Sequence, residues 1–145
     1  MIFKRRKRLI QRILIVEDEP LIAFELETYL LDADYHVVGT VDGVDDALEH
    51  LASGDVHLLV TDMRLAGGGS GLDVAAAARA QGIPVLLATA TAPADGHLHA
   101  LGCLTKPFAA RDLLRAIEIV EALKDGRDID DLPDALLLYR TYEDE

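Results

Sequence analysis

The stretch Leu58-Leu59-Val60-Thr61-Asp62 decides how this chain folds. It is apolar on both faces, as a strand buried inside a parallel sheet must be; a strand with one wet face would alternate. The run stops on a carboxylate. Asp62 therefore stands at the carboxyl end of a strand, the edge at which open α/β sheets hold their ligands. A second run, Ile13-Leu14-Ile15-Val16, ends the same way on Glu17, Asp18 and Glu19.

Working outward, Glu19-Pro20 opens a helix to about Asp32, with proline at the first helical position, where a missing N–H is harmless. His36 to Val41 reads as a strand. Asp42 is placed to cap a helix whose Val44, Ala47, Leu48 and Leu51 share one face. Ser53-Gly54-Asp55 breaks that helix before the strand Val56 to Thr61. The glycine run 67–71 lacks both the G-K-[ST] ending and the G-x-G-x-x-G spacing of nucleotide loops, so it reads as a flexible turn. An alanine-rich helix, Leu72 to Gln81, closes at Gly82, and the strand Ile83 to Ala88 ends on Thr89. A short helix is expected at about Ala94 to Leu101. Cys103-Leu104-Thr105 forms a fifth strand before Lys106-Pro107-Phe108, and Arg111 to Leu123 is the last regular helix. Strands alternating with helices predict an α/β fold: a five-stranded parallel sheet with helices on both faces and right-handed crossovers.

At 145 residues the chain is long enough for one domain with a real core. Three segments are expected: a basic extension (1–11), the α/β domain (12–123) and an acidic extension (124–145). In the last of these, Pro133 to Tyr142, with Leu136, Leu137, Leu138, Tyr139 and Tyr142, predicts an extra short helix whose apolar side needs cover. The formal charge is −12, but residues 1–12 hold six of the 14 basic side chains and no acid, so the rest carries −18. Such a body repels nucleic acid, and the basic arm reads as a solvated tail. No apolar run approaches the length of a membrane span or a signal peptide, which makes the cytoplasm the expected location. The single cysteine, Cys103, excludes an internal disulfide and a cysteine metal site. The five histidines show no ligand spacing.

Placed at strand ends, Glu17, Asp18, Asp62, Thr89 and Lys106 converge on one edge of the sheet. Three carboxylates together repel one another and call for a cation between them. Oxygen ligands from a few acids suit Mg²⁺, which keeps much of its water. A carboxylate so shielded can act as a nucleophile toward a phosphoryl group. Thr89 and Lys106 are chemically suited to bond the oxygens of that group.

These motifs (I-L-I-V-E-D-E-P at 13–20, L-V-T-D-M at 59–63, A-T-A at 88–90 and K-P-F at 106–108) resemble those of response-regulator receiver domains of two-component signalling. The resemblance covers about residues 12–123 and implies a flavodoxin-like receiver fold. It implies Asp62 as phospho-acceptor, Thr89 and Lys106 as switch residues, and a cis Lys106–Pro107 bond. For Mg²⁺ it implies Asp18 and Asp62 as direct ligands, Glu17 through water and the backbone carbonyl of Arg64. A histidine kinase or histidine phosphotransferase would be the donor. The chain would then catalyse only its own phosphorylation and dephosphorylation.

Three departures stand out. Cys103 occupies the position of the aromatic residue that family members usually carry three residues before the lysine. Only sixteen residues separate Thr89 from Lys106, so the fourth helix should be short. Leu87 to Thr91 is loosely similar to the F-A-T-G-Y receiver subgroup, whose members are often stand-alone and lack the switch aromatic. With no output segment recognised after the receiver-like stretch, the expected output is protein binding or phosphorelay. A homodimer is also open. Arg64 and Thr91 are expected to flank the phosphoryl group. Two other functions compete: a pseudo-receiver that binds a partner without phosphorylation, and a phosphohydrolase acting through Asp62. Against the second, no other catalytic acid follows Asp62.

Overall fold

The computed structural model describes residues 8–139. Strands β1 (Arg12–Val16), β3 (Leu58–Thr61) and β4 (Val85–Thr89) lie at the centre, and all but Arg12 of their residues are buried. β2 (His36–Val41) flanks β1, and β5 (Gly102–Thr105) flanks β4. The order is β2-β1-β3-β4-β5, all parallel, as the sequence predicts. Successive side chains point to opposite faces and so divide the core in two. Ile13, Ile15, Leu58, Val60 and Leu104 pack under helices α1 (Pro20–Asp32) and α4 (Ala110–Lys124). Leu14, Val16, Leu59, Leu87 and Cys103 pack under α2 (Val44–Ala52) and α3 (Gly71–Ala80).

Local chemistry sets the helix ends. Pro20 begins α1. Ser70 Oγ accepts the Leu72 N–H at 3.1 Å to cap α3, and Asp112 accepts the Ala109 N–H at 2.9 Å at the start of α4. The expected cap at Asp42 is a correction: Gly43 holds the N-cap of α2 with no side-chain bond. Asp45 and Asp46 in its first turn supply the negative charge that a helix N-terminus favours.

Two regions go beyond the sequence reading. The expected fourth helix over Ala94 to Leu101 is reduced to a single 3-10 turn, Gly96–Leu98, so the next α-helix is α4. The sheet also gains a sixth strand, β6 (Leu136–Leu138), antiparallel to β5. That corrects the helix expected in 133–142, of which residues 140–142 lie outside the described part. The physical reason is the edge of β5. Without a neighbour its amides and carbonyls would stay unpaired; instead the Thr105 N–H donates to the Ala135 carbonyl (2.9 Å), and the Tyr139 N–H donates to the Leu101 carbonyl (2.8 Å). At the other end of the chain, Ile10 is fully buried and its N–H donates to Glu121 at 2.8 Å. The Arg8 guanidinium stacks 4.1 Å from the centre of the Tyr35 ring. The basic segment 1–7 lies outside the described residues.

Candidate functional site

The strand order turns between β1 and β3, and there the two acidic strand ends meet. The Asp62 N–H donates to the Val16 carbonyl and the Glu17 N–H to the Val41 carbonyl, each at 2.9 Å. The parallel ladder thus runs one residue past the strands and fixes both acids side by side. Carboxylate oxygens of Glu17, Asp18 and Asp62 all lie within 4.8 Å of one another. Glu17 is buried (3% exposed), Asp62 half-buried and Asp18 exposed.

Lys106 reaches this cluster from the end of β5. Its ammonium donates to Asp62 Oδ2 at 2.8 Å and to Glu17 Oε1. The remaining oxygens are held by backbone: the Met63 N–H donates to Asp62 Oδ1 at 2.6 Å, and the Glu19 N–H donates to Glu17 Oε2 at 3.2 Å. The Lys106–Pro107 peptide is cis, a geometry that proline alone makes inexpensive. Thr89 ends β4 opposite Thr105, is buried, and accepts the Lys106 N–H on its carbonyl at 2.9 Å. Four strand ends therefore bring Glu17, Asp18, Asp62, Thr89 and Lys106 to one edge. Arg64 lies in the loop after β3, bridged to Ser70 and exposed, and Thr91 is exposed beyond β4.

The electrostatics follow from burial and pairing. Burial pushes the Glu17 carboxyl above its ordinary range, and the bonds from Lys106 and the Glu19 amide offset only part of that. For Lys106, burial works against the charged form, but the bonds and charges of Asp62 and Glu17 outweigh it and leave its pKa raised. One ammonium against three carboxylates leaves the cluster with excess negative charge. The donor set is oxygen only, which fits a hard divalent cation and no soft metal.

One residue of the site was read only as part of a turn. Gly71 is the first residue of α3, and its N–H donates to the Met63 carbonyl at 2.7 Å. A Cβ there would lie 1.7 Å from the carbonyl oxygen of Asp62. Only glycine lets α3 approach so closely, and that approach sets the backbone bearing Asp62. Elsewhere in the run the expectation of a turn holds: Gly67 and Gly68 each have φ of 77°, a region that L side chains avoid.

A doubly wound sheet with three carboxylates and a lysine gathered at its switch point, and a threonine ending the neighbouring strand, defines a receiver-type architecture. The model of the response regulator receiver domain family matches residues 13–118, and the chain belongs to that family. It is 35% identical over 115 residues to the transcriptional regulatory protein DltR of Streptococcus agalactiae, with 74% of this chain aligned; the chain spans about half (50%) of DltR's length. It is 34% identical over 116 residues to the chemotaxis protein CheY of Pseudomonas aeruginosa, covering 74% of this chain and 93% of CheY. Among solved structures, SdrG from Sphingomonas melonis Fr1 superposes with a TM-score of 0.67 at 35% identity, over 77% of this chain and 97% of SdrG.

Proposed function

We propose that the chain is a phosphorylation-dependent signalling switch of two-component pathways. Asp62 accepts a phosphoryl group from a histidine kinase or a histidine phosphotransferase, and the product acts through protein binding or phosphorelay. The observation that supports this best is the Asp62 carboxylate itself. It is pinned at a strand end by the Met63 amide and Lys106, with Glu17 and Asp18 within 4.8 Å. In the transfer an Asp62 oxygen attacks phosphorus. The P–N bond to the donor histidine breaks, its electron pair goes to the imidazole nitrogen, which takes a proton from solvent, and Asp62 becomes an acyl phosphate.

Each neighbour has a task. The Met63 N–H holds one carboxylate oxygen so that the other faces the donor. Lys106 moves its charge from carboxylate to phosphoryl oxygen, and Thr89 donates its hydroxyl to a second oxygen. Glu17, Asp18, Asp62 and the Arg64 carbonyl are the groups to hold Mg²⁺, Glu17 through water; the ion supplies positive charge against the anionic donor. Beside the acids, on the first turns of α1, Leu21 and Phe24 are 80% and 69% exposed. Adjacent apolar side chains left in water beside a reaction centre suit a docking donor protein. No described helix is long and apolar enough to cross a membrane, in keeping with a cytoplasmic role.

The test is incubation of the protein with Mg²⁺ and a small acyl-phosphate donor, read by intact mass. A gain of one phosphate that is lost in Asp62→Asn supports the switch. Absence of any adduct would overturn it in favour of a non-phosphorylated binding module.

A further inference from the structure

Three polar or charged side chains are buried among the described residues: Glu17, Thr61 and Thr89. Glu17 and Thr89 belong to the chemistry already described, and Thr61 is left over. It closes β3 after Leu58, Leu59 and Val60 and is fully buried. Valine has the same shape and would complete that apolar run, so packing alone gives no reason for a hydroxyl here. A buried hydroxyl needs a partner. Thr61 Oγ1 finds one in the next residue and donates to the Asp62 carbonyl oxygen at 2.8 Å. Among the described residues that hydroxyl is the carbonyl's one hydrogen-bond donor.

The bond gains its meaning from the other end of the same peptide. The Asp62 carbonyl and the Met63 N–H belong to one planar unit, so that turning the first turns the second. It is the Met63 N–H that holds Asp62 Oδ1, at 2.6 Å. The backbone groups on either side are committed elsewhere: the Asp62 N–H donates to the Val16 carbonyl at 2.9 Å, and the Met63 carbonyl accepts the Gly71 N–H at 2.7 Å. Gly71 also walls off the Asp62 carbonyl, since a Cβ there would lie 1.7 Å from its oxygen and 2.9 Å from Thr61 Oγ1. We propose that Thr61 is a positioning residue for the phosphorylation of Asp62. Its hydroxyl holds the Asp62–Met63 peptide at the tilt that aims the Met63 N–H at Oδ1, and so leaves Oδ2 toward Lys106, 2.8 Å away, and toward the donor. The inference rests on the function proposed above and adds a residue to that site.

The β-branch of threonine makes it a stiff support, because its χ1 has few alternatives. Without the hydroxyl, the Asp62 carbonyl loses its partner, and a backbone acceptor left unpaired turns to find another. The Met63 N–H turns with it, and the carboxylate is then free to rotate away from the line of attack. The loss falls on the rate of the bound complex. Binding of the donor is little affected, because its phosphoryl oxygens are met by Lys106, Thr89 and Mg²⁺.

The test follows phosphorylation of the full-length chain by a small acyl phosphate with Mg²⁺, read by intact mass over time at a series of donor concentrations. Thr61→Val keeps the volume and removes the hydroxyl; its maximal rate should fall about tenfold to hundredfold, with the half-saturating donor concentration unchanged. Thr61→Ser gives up the methyl and keeps the hydroxyl, and should stay within about threefold of the wild-type rate. A general loosening of β3 would slow Thr61→Ser at least as much as Thr61→Val, because serine leaves a cavity, so the order of the two rates separates the explanations. By NMR, the Met63 amide proton should shift upfield in Thr61→Val, as its bond to the carboxylate weakens, and return to its place in Thr61→Ser. A wild-type maximal rate in Thr61→Val, or an unmoved Met63 proton there, would overturn the assignment. So would a rise in half-saturating concentration at unchanged maximal rate. If Thr61→Val does not fold, Thr61→Ser decides alone: a loss of more than about tenfold despite the retained hydroxyl would overturn it. Absence of any phosphate adduct on the wild-type chain would overturn the phosphoacceptor reading, and the role of Thr61 with it.

Discussion

Replacing Gly71 by alanine separates a propensity argument from a packing argument. In a helix, Gly→Ala ordinarily stabilises by up to about 1 kcal/mol, and the φ of Gly71 is not left-handed, so backbone conformation raises no objection. Space does. The new Cβ would lie 1.7 Å from the Asp62 carbonyl oxygen, 2.8 Å from its carbon and 2.9 Å from Thr61 Oγ1. None of these can swing aside: two are backbone, and the Thr61 hydroxyl is buried and donates to that same carbonyl at 2.8 Å. The start of α3 must back away from β3, losing the 2.7 Å bond from the Gly71 N–H to Met63. Overpacking of this severity costs about 3 kcal/mol, which outweighs any propensity gain. With a urea dependence of about 1.5 kcal/mol per molar, the unfolding midpoint should fall by about 2 M with its slope unchanged. Because the strain falls on the backbone of Asp62, and misplacement of a reacting group by about 1 Å can cost about a hundredfold, phosphorylation from acyl phosphate in the absence of urea should slow as well. An unchanged or raised midpoint with an unchanged phosphorylation rate would refute the reasoning.

Lys106→Met leaves Glu17 and Asp62 without their shared cation and should destabilise by about 3 kcal/mol in chelator, with the deficit in melting temperature shrinking as millimolar Mg²⁺ is added; equal melting of variant and wild type in chelator would count against it. Leu21→Ser with Phe24→Ser should change stability by no more than about 0.5 kcal/mol, as exposed positions do, and should slow phosphotransfer from a donor protein but not from acyl phosphate; equal slowing with both donors would place the fault in the chemistry. The Tyr139 phenol, raised from 10.0 to about 12, holds its proton more tightly folded than unfolded. Its contribution to stability is therefore complete below pH 10 and is lost as pH rises from there through 12. Urea titrations across that range should show a shallower alkaline loss in Tyr139→Phe, and an identical loss would remove the buried phenol from the explanation.

What the sequence discloses and what it hides divide along a physical line. A strand buried on both faces has to be apolar throughout, so β1, β3 and β4 are visible as runs, and the acids that end them fall at the sheet edge by connectivity alone. The alternation of strands and helices then fixes a parallel order, and Thr89 and Lys106 arrive at the same edge. β6 is hidden because Leu136-Leu137-Leu138 is too short to carry a period, and its pairing is settled by the unmet bonds of β5, more than thirty residues earlier. Gly71 is hidden for a related reason: the need for glycine comes from a carbonyl on another element, while the local pattern shows one more glycine in a turn. The shortness of the fourth helix is legible from the spacing between Thr89 and Lys106. Its collapse to one 3-10 turn is not, because that depends on the ring laid against Gly96.

Cys103, Gly96 and Tyr139 are then three parts of one arrangement, although the sequence presents the first as a missing aromatic and the second as part of a missing helix. A small side chain on β5 and no side chain on the turn leave the space that Tyr139 fills from β6. Positions 103 and 139 therefore cannot both carry a ring here. Cys103→Tyr alone should overpack the site and cost about 2 kcal/mol, and Tyr139→Ala alone should cost about 2 kcal/mol for the half-buried ring it removes. Combined, the new ring enters the space the old one leaves, so the double variant should be more stable than the sum of the singles by about 1–2 kcal/mol, a coupling expected only of residues that share one volume. Urea unfolding of the four proteins measures it. Additivity to within about 0.5 kcal/mol would mean that the two side chains occupy separate spaces and that the aromatic of this receiver has not been moved to its C-terminal strand.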